Sequence, residues 1–427
     1  MNMRSLRSFV FLGLLGLICY GFPSAAAAGE VDVLVNKLVE KGLLTPMEAQ
    51  IIVDESAQHV AKEIAEGKSA TLPAWVQNMK LKGDLRVRYQ YERKSSNTDA
   101  RERGRLRYRL GIETKVVENV KAAAGFASGG PDPRSTNQTF EDSFAHGDLR
   151  LDYAYAEWTP VKEAKIALGK FDAKNYIWAP TDMLWDTDIR PAGGSINYER
   201  NITGDIDGFA NTGVWVMDEN ANSDRPAPFL TFLQSGVKWG NEKVDAKFAC
   251  NYYNFHGAQG RALDWCRGTN TGITKTNNDG GCSGGLTYDY NAAGFSTELG
   301  AAKLFGGLSL NVDERIAVFM DFIHNTDAND NTNGWTTGMR FGNAKLKEKG
   351  QWQASYMFTR LEKDAWLDVL PDSDRKGGDT NIRGHELLLE YGLNKNVTLG
   401  IDYYQTARLT GTKDPERLIQ LDTVFKF

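Results

Sequence analysis

Cysteine is scarce in this chain: four occur in 427 residues, and one of them, Cys19, falls inside the apolar N-terminal run. No CxxC spacing is present, which removes the simplest redox-centre and zinc-site readings. The five histidines, His59, His146, His256, His324 and His385, form no HxxxH pair and no nucleophile–base pattern. Neither a hydrolytic site nor a metal site is therefore expected, and no cofactor is called for. The glycine-rich stretch Gly280 to Gly284 lacks the Lys-Ser/Thr of a phosphate loop, and in the calcium-loop-like run Asp327 to Asn331 the next residue is Thr332 instead of glycine. Long apolar runs are also missing. After residue 28 nothing approaches the roughly 18 unbroken apolar residues of a membrane helix, and mean hydropathy is −0.44. Basic charge is not in excess either, with 50 Lys and Arg against 55 Asp and Glu. That balance argues against a nucleic-acid partner.

What is present begins with a leader. Arg4 and Arg7 precede the apolar run Phe9 to Tyr20, then Pro23 and the small residues Ala25 to Ala28. This is the order of a secretory signal peptide over 1–28, cut after Ala28. Ile18 before Cys19 is too bulky for a lipoprotein signal. Losing Arg4 and Arg7 takes the formal charge from −5 to −7. In the exported chain, Cys266 and Cys282 flank a Gly, Asn and Thr-rich segment and are the candidate disulfide. Cys250 sits in an alternating strand and is expected to be a packed free thiol.

Residues 29–70 read as helical and periplasmic. Val31, Leu34, Val35, Leu38 and Val39 recur at helical spacing up to Gly42, and Thr45-Pro46-Met47-Glu48 reads as a capping box opening a second helix to about Glu66. Two helices bury little by themselves. They self-associate, dock on the rest of the chain, or meet a periplasmic partner.

From Trp75 the period becomes two. Leu85, Val87, Tyr89 and Tyr91 alternate with Asp84, Arg86, Arg88 and Gln90, and the chain closes the same way with Ile419, Leu421, Phe425 and Phe427 on one face. Short connections alternate with long ones, the latter near 93–101, 128–146, 172–192, 254–284, 362–380 and 409–416. The expected fold is all-β: a transmembrane antiparallel β-barrel of about sixteen strands over 71–427. Strand starts fall near 83, 103, 120, 147, 164, 193, 208, 228, 243, 294, 315, 334, 351, 382, 397 and 417.

The segment Arg101 to Leu110 puts Arg101, Arg103, Arg105, Arg107 and Arg109 on one strand face, with Leu106, Tyr108 and Leu110 on the other. An arginine facing lipid near the midplane costs roughly 2–4 kcal/mol, so three would cost about 6–12 kcal/mol. Same-face neighbours about 7 Å apart in water repel by only about 0.6 kcal/mol. The arginines therefore face a wet interior. With Arg86 and Arg88 they line a pore and attract anions, or they form a closing salt-bridge lattice with Asp84, Glu92 and other wall carboxylates. The connection 172–192 carries Asp172, Asp182, Asp186 and Asp188 with Trp178 and Trp185. Folded inward, Asp182, Asp186 and Asp188 would oppose the arginines and constrict the pore; folded outward, the loop is simply solvated.

The chain resembles the putative porin family of Gram-negative outer-membrane barrels. The resemblance rests on the Leu-Leu-Thr-Pro preface, Gly83 to Tyr89, the arginine-rich second strand with Leu110 to Glu113, and Asn119-Val120-Lys121. It continues through Pro133 to Gln138, Leu151 to Tyr155, and the terminal strand ending on Phe427. It implies an outer-membrane channel and names no solute. By analogy with other porins the assembly is a homotrimer in outer-membrane lipid. The leading function is thus passive diffusion of small polar or anionic solutes, with no catalysis. The alternative is a structural sheath around a partner such as a multihaem cytochrome, which would supply the haem, since the chain has no CxxCH.

Overall fold

The computed structural model describes residues 35, 38–39, 41, 44–65, 74–97, 99–219, 226–241, 243–302 and 315–427. The leader at 1–28, most of the first expected helix and the turn at Asp313-Glu314 lie outside these residues. The chain forms two units, one ending at Pro73 and one running from Ala74 to Phe427. In the first, helix α1 spans Pro46–Ala65. Its start is a reciprocal cap. Glu48 Oε2 accepts from the Thr45 N–H at 2.8 Å and its hydroxyl at 2.7 Å, while the Glu48 N–H donates to Thr45 Oγ1 at 3.3 Å. Two backbone donors that the helix leaves without partners are thereby satisfied.

In the second unit a short helix, α2 (Ala74–Gln77), precedes the barrel. Strands β1 (Lys80–Lys94), β2 (Arg101–Val117), β3 (Val120–Ser128) and β4 (Leu149–Val161) open it. β5 (Ala164–Lys170), β6 (Ala192–Thr203), β7 (Ile206–Val216) and β8 (Phe229–Gly240) follow. Next come β9 (Val244–His256), β10 (Ala292–Ala302), β11 (Arg315–Asn325) and β12 (Asn333–Gly342). β13 (Trp352–Leu361), β14 (Ile382–Asn394), β15 (Val397–Arg408) and β16 (Glu416–Lys426) complete it. Each strand pairs antiparallel with the next, and β1 pairs with both β2 and β16, so the sheet is a closed sixteen-stranded barrel. The expected strand starts agree with these, the largest difference being Lys80 against the expected 83 at β1.

The seam is closed by the last residue. Gly83 and Phe427 exchange backbone hydrogen bonds of 2.8 and 3.0 Å. A Cβ on Gly83 would fall 2.3 Å from the Phe427 ring and 2.7 Å from the Arg109 carbonyl oxygen, a backbone atom that cannot swing aside, so glycine suits this position. Alternation sorts the two faces. Along β14, Leu387, Leu389 and Tyr391 are exposed on the outside, while Glu386 and Glu390 are turned inward. The outer face is an apolar band and the inner face carries the polar groups, as hydrocarbon outside and water inside require.

Among the described residues most connections at one rim are tight turns, 343–351 being the exception, and the longest loops lie at the other. One connection beyond the expected six, 326–332, also belongs to the long-loop rim, because every second connection of an up-and-down barrel emerges at the same end. Three long loops, 171–191, 257–291 and 362–381, meet inside the barrel around Trp185. Its ring centroid lies 5.4 Å from that of Trp215, 5.9 Å from Tyr253 and 5.5 Å from Trp366. Trp366 Nε1 donates to the Leu184 carbonyl at 2.8 Å. Leu230, Phe232, Phe255, Ile323 and Leu361, all near the long-loop ends of their strands, complete this core. The Cys266 and Cys282 sulfurs in loop 257–291 stand 2.01 Å apart. Cys250 is exposed and not packed as expected, because its register sets it between Phe248 and Tyr252 on the outer face.

Candidate functional site

Arg86 and Arg88 of β1 and Arg103, Arg105, Arg107 and Arg109 of β2 point into the barrel and meet other inward groups. Register places Arg86 opposite Arg107 and Arg88 opposite Arg105, a juxtaposition of like charges that needs compensation. The rungs obtain it unequally. Arg107 and Arg109 share Asp84, with contacts of 2.7 Å each, and Arg109 also lies 3.5 Å from Asp188. Arg88 holds Asp422 of β16 through two bonds, 2.7 and 2.8 Å, and Asp374 through a third at 2.9 Å. Arg86 donates to Asn137 Oδ1 at 2.6 Å and keeps Asp422 only at 3.6 Å. Arg103 keeps Glu92 at 3.7 Å. Arg105 makes no ion pair among the described residues; its hydrogen bonds are 3.4 Å contacts to the neutral Gln90 and Ser135. The lattice and the open-charge readings thus divide the wall between them: Arg88, Arg107 and Arg109 are strapped, whereas Arg105 is not.

Asp182, Asp186 and Asp188 do not form one acidic row facing these arginines. Only Asp188 reaches the wall, at Arg109, and its other oxygen accepts from the Thr136 N–H and hydroxyl at 3.1 and 3.0 Å. Asp186 accepts from the backbone of Asp188 and of Ser373, both at 2.8 Å. Asp182 pairs with Arg375 at 3.1 Å. The reason is a second inward loop. Loop 362–381 lies beside loop 171–191, and the two exchange hydrogen bonds, including Asp186 N–H to the Leu370 carbonyl at 2.8 Å. Burial pushes the Asp186 carboxyl up to about 8, with Asp188 beside it adding to the rise. At Asp188 burial acts in the same direction, but Arg109, Arg107 and Arg190 outweigh it and hold the carboxyl below its ordinary value.

Loop 362–381 carries two neighbours of opposite charge to opposite sides. Asp374 reaches Arg88, and although burial opposes its ionisation, Arg88, Arg86 and Arg105 hold its carboxyl well below the usual range. Arg375 turns the other way, into Glu386 at 2.5 Å, Asp182 at 3.1 Å and Asp372 at 3.7 Å. Those three carboxylates lie close enough together to suit a metal ion, but the guanidinium already supplies their positive charge. Arg134, from loop 129–148, locks the loops further by donating to the Asp368 and Trp265 carbonyls at 3.0 and 3.1 Å.

The far wall carries ion pairs, among them Lys238 with Glu199 and Arg340 with Glu298, and a belt of neutral side chains. Asn197, Asn211, Gln234, Asn251 and Ser296 form a continuous chain of side-chain hydrogen bonds of 2.5 to 3.1 Å across β6 to β10. Gln234 also brackets the Trp178 backbone, accepting from its N–H and donating to its carbonyl at 2.8 Å each. Asp321 accepts from the Thr181 N–H at 3.1 Å and from its hydroxyl. Loop 171–191 is thereby fastened to an amide belt on one side and to Arg109 on the other. Hollows flank it: one of about 480 Å³ lined by Lys174, Trp178, Asp182, Arg340, Gln353 and Glu386, and one of about 380 Å³ lined by Lys121, Tyr155, Glu157, Asp172, Tyr176 and Arg190.

Sequence reasoning missed Asp374, Arg375 and Asp422 as partners of the site. A signal existed for the first two: segment 362–381 repeats the aspartate-plus-tryptophan composition of 172–192, with Asp364, Trp366, Asp368, Asp372 and Asp374.

The Putative porin family matches residues 93–282 and 290–427. The chain belongs to this family and is an outer-membrane β-barrel of the porin kind. The family and fold are those of a channel, not of an enzyme. No curated protein matches it by sequence. Among solved structures it is similar to the high-pH structure of OprB from Pseudomonas putida, with TM-score 0.54 and 11% identity over 82% of this chain and 95% of the other. A triple mutant of the Rhodopseudomonas blastica porin aligns at TM-score 0.43 and 12% identity, over 82% and 100%.

Proposed function

We propose that small hydrophilic solutes diffuse passively through this barrel and that its arginine wall favours anions. The observation that carries the reading is the unequal compensation of the wall. Among the described residues Arg105 has only neutral contact partners, and Arg86 and Arg103 hold their carboxylates at 3.6 and 3.7 Å. A cationic group without a close anionic partner, inside a narrow low-dielectric wall, concentrates anions and slows cations. The same reading puts residues 29–70 in the periplasm after removal of 1–28, and takes a homotrimer as the working assembly. The inward loops interlocked around Trp185 take up part of the lumen that a haem-bearing partner would need, while hollows remain beside them, which favours the diffusion channel over the sheath.

Planar-bilayer recording under a potassium chloride gradient tests this. An open conductance with a reversal potential on the chloride side is expected. A cation preference that Arg105→Gln leaves unchanged would sink the selectivity claim.

A further inference from the structure

Resting on the channel reading, we propose that the solutes this lumen recognises carry carboxylate groups, and that Asp374 is a tethered surrogate occupying their subsite in the solute-free protein. The carboxylate of Asp374 is delivered to the arginine wall by a loop, not by a neighbouring strand. It lies 2.9 Å from Arg88 Nη1, and its charge reaches Arg86, Arg103 and Arg105 as well. Asp374 thus touches one guanidinium and lies within the field of three more, two of which also have Asp422 or Glu92 nearby. They are not saturated: the Nε atoms of Arg86, Arg103 and Arg105 are buried and have no acceptor among the described residues. Buried donors without acceptors are rare in folded proteins, and three on one wall leave it short of acceptor oxygens.

The geometry favours a carboxylate over a spherical anion. Guanidinium presents two parallel N–H groups matched to the two oxygens of a carboxylate. Arg88 already uses that mode with Asp422. Arg105 points Nη1 and Nη2 at Gln90 and Ser135 over 3.4 Å, long enough to be displaced by a charged acceptor. Asn137 and Ser135 stand beside it as neutral contacts for the rest of a solute. The loop also lets Asp374 give way without unfolding. Arg375 anchors the following residue to Glu386 and Asp182, and Ser373 anchors the preceding one to Asp186. Rotation of the Asp374 side chain between these two anchors would open the subsite while the loop stays in place.

Equilibrium binding measures this without requiring conductance. Succinate is titrated calorimetrically into the full-length protein in detergent, with sulfate, phosphate, chloride and uncharged succinamide as matched arms. Succinate should bind and succinamide should not, with sulfate and phosphate weaker. If the tether fills the subsite in about nine molecules of ten, Asp374→Asn should tighten succinate about tenfold. Asp374→Glu should behave as the wild type, and Arg105→Gln should lose binding. Equal affinity in the wild type and Asp374→Asn overturns the tether, and phosphate or sulfate binding as tightly as succinate overturns the carboxylate. Should Asp374→Asn fail to fold, the succinate–succinamide comparison and Arg105→Gln decide in its place. A non-conducting protein with the expected binding pattern removes the channel reading and keeps the subsite; a conducting protein that binds no succinate does the reverse.

Discussion

Arg88 and Asp422 face each other across β1 and β16, joined by Nε–Oδ1 and Nη2–Oδ2 contacts of 2.7 and 2.8 Å on the seam where the barrel closes. The pair therefore belongs both to the arginine wall and to the junction of the first and last strands. Asp422→Ala would leave the Arg88 side chain, only 5% exposed, without its two-bonded partner. Breaking one side of a buried pair costs on the order of 3–5 kcal/mol. Urea unfolding in detergent, followed by tryptophan fluorescence, should show a lower midpoint for this variant. The triple replacement Arg88→Met, Asp422→Leu and Asp374→Asn, which removes both carboxylates that Arg88 holds, should cost less than the single change, and an unchanged midpoint for Asp422→Ala would show that the seam does not depend on this pair.

Selectivity should respond unequally to equal charge changes. Arg105→Gln removes a guanidinium with no contacting carboxylate among the described residues and is expected to move the reversal potential toward cations. Arg107→Gln should move it less, because Asp84 already opposes that charge at 2.7 Å. Asp84→Asn should shift it toward anions by unmasking Arg107 and Arg109. Bilayer recordings of the three variants that give identical shifts would show that the pore senses net charge and not local pairing.

Loop 171–191 should be pH-sensitive through Asp186. Its carboxyl, pushed up to about 8 by burial and by Asp188, titrates near 3.9 in an unfolded chain. Between those values the native loop holds a proton that the unfolded chain does not. Its stability therefore falls as pH rises from about 4 to about 8 and levels off above that. Asp188, held low by Arg109 and its neighbours against burial, acts in the opposite sense below about 4. Hydrogen exchange of the loop, corrected for intrinsic rates, should show protection declining from about pH 5 to about pH 8. Asp186→Asn should flatten that slope; a slope of the same size in the variant would assign it elsewhere.

The Cys266–Cys282 link spans 16 residues, a loop length for which chain-entropy reasoning gives about 3 kcal/mol. A non-reducing digest should yield the cross-linked peptide. Cys266→Ser with Cys282→Ser should loosen the hairpin formed by Ile273–Lys275 and Cys282–Gly284 while leaving the barrel intact. Recovery of both thiols free in unreduced protein would remove the bridge.

The barrel was legible because hydrocarbon imposes a strict period. Leu387, Leu389 and Tyr391 must alternate with Glu386, Leu388 and Glu390 for one face to meet lipid and the other to turn inward. The inward direction of Arg103, Arg105, Arg107 and Arg109 followed from the same cost. Asp84 and Glu92 were legible as partners because they lie on the paired strand. Asp374 and Arg375 were not, since 286 residues separate Asp374 from Arg88 and no periodicity constrains a loop.

By itself the sequence determined the strand count, the closing residue and the side of the wall on which the arginines stand, because each is fixed by local alternation against a solvent that tolerates no error. Only the tertiary structure decided which arginines are neutralised. Pairing depends on where long loops return, and that is set by the aromatic core around Trp185 and by the anchors at Gln234 and Asp321, contacts between residues far apart in the chain.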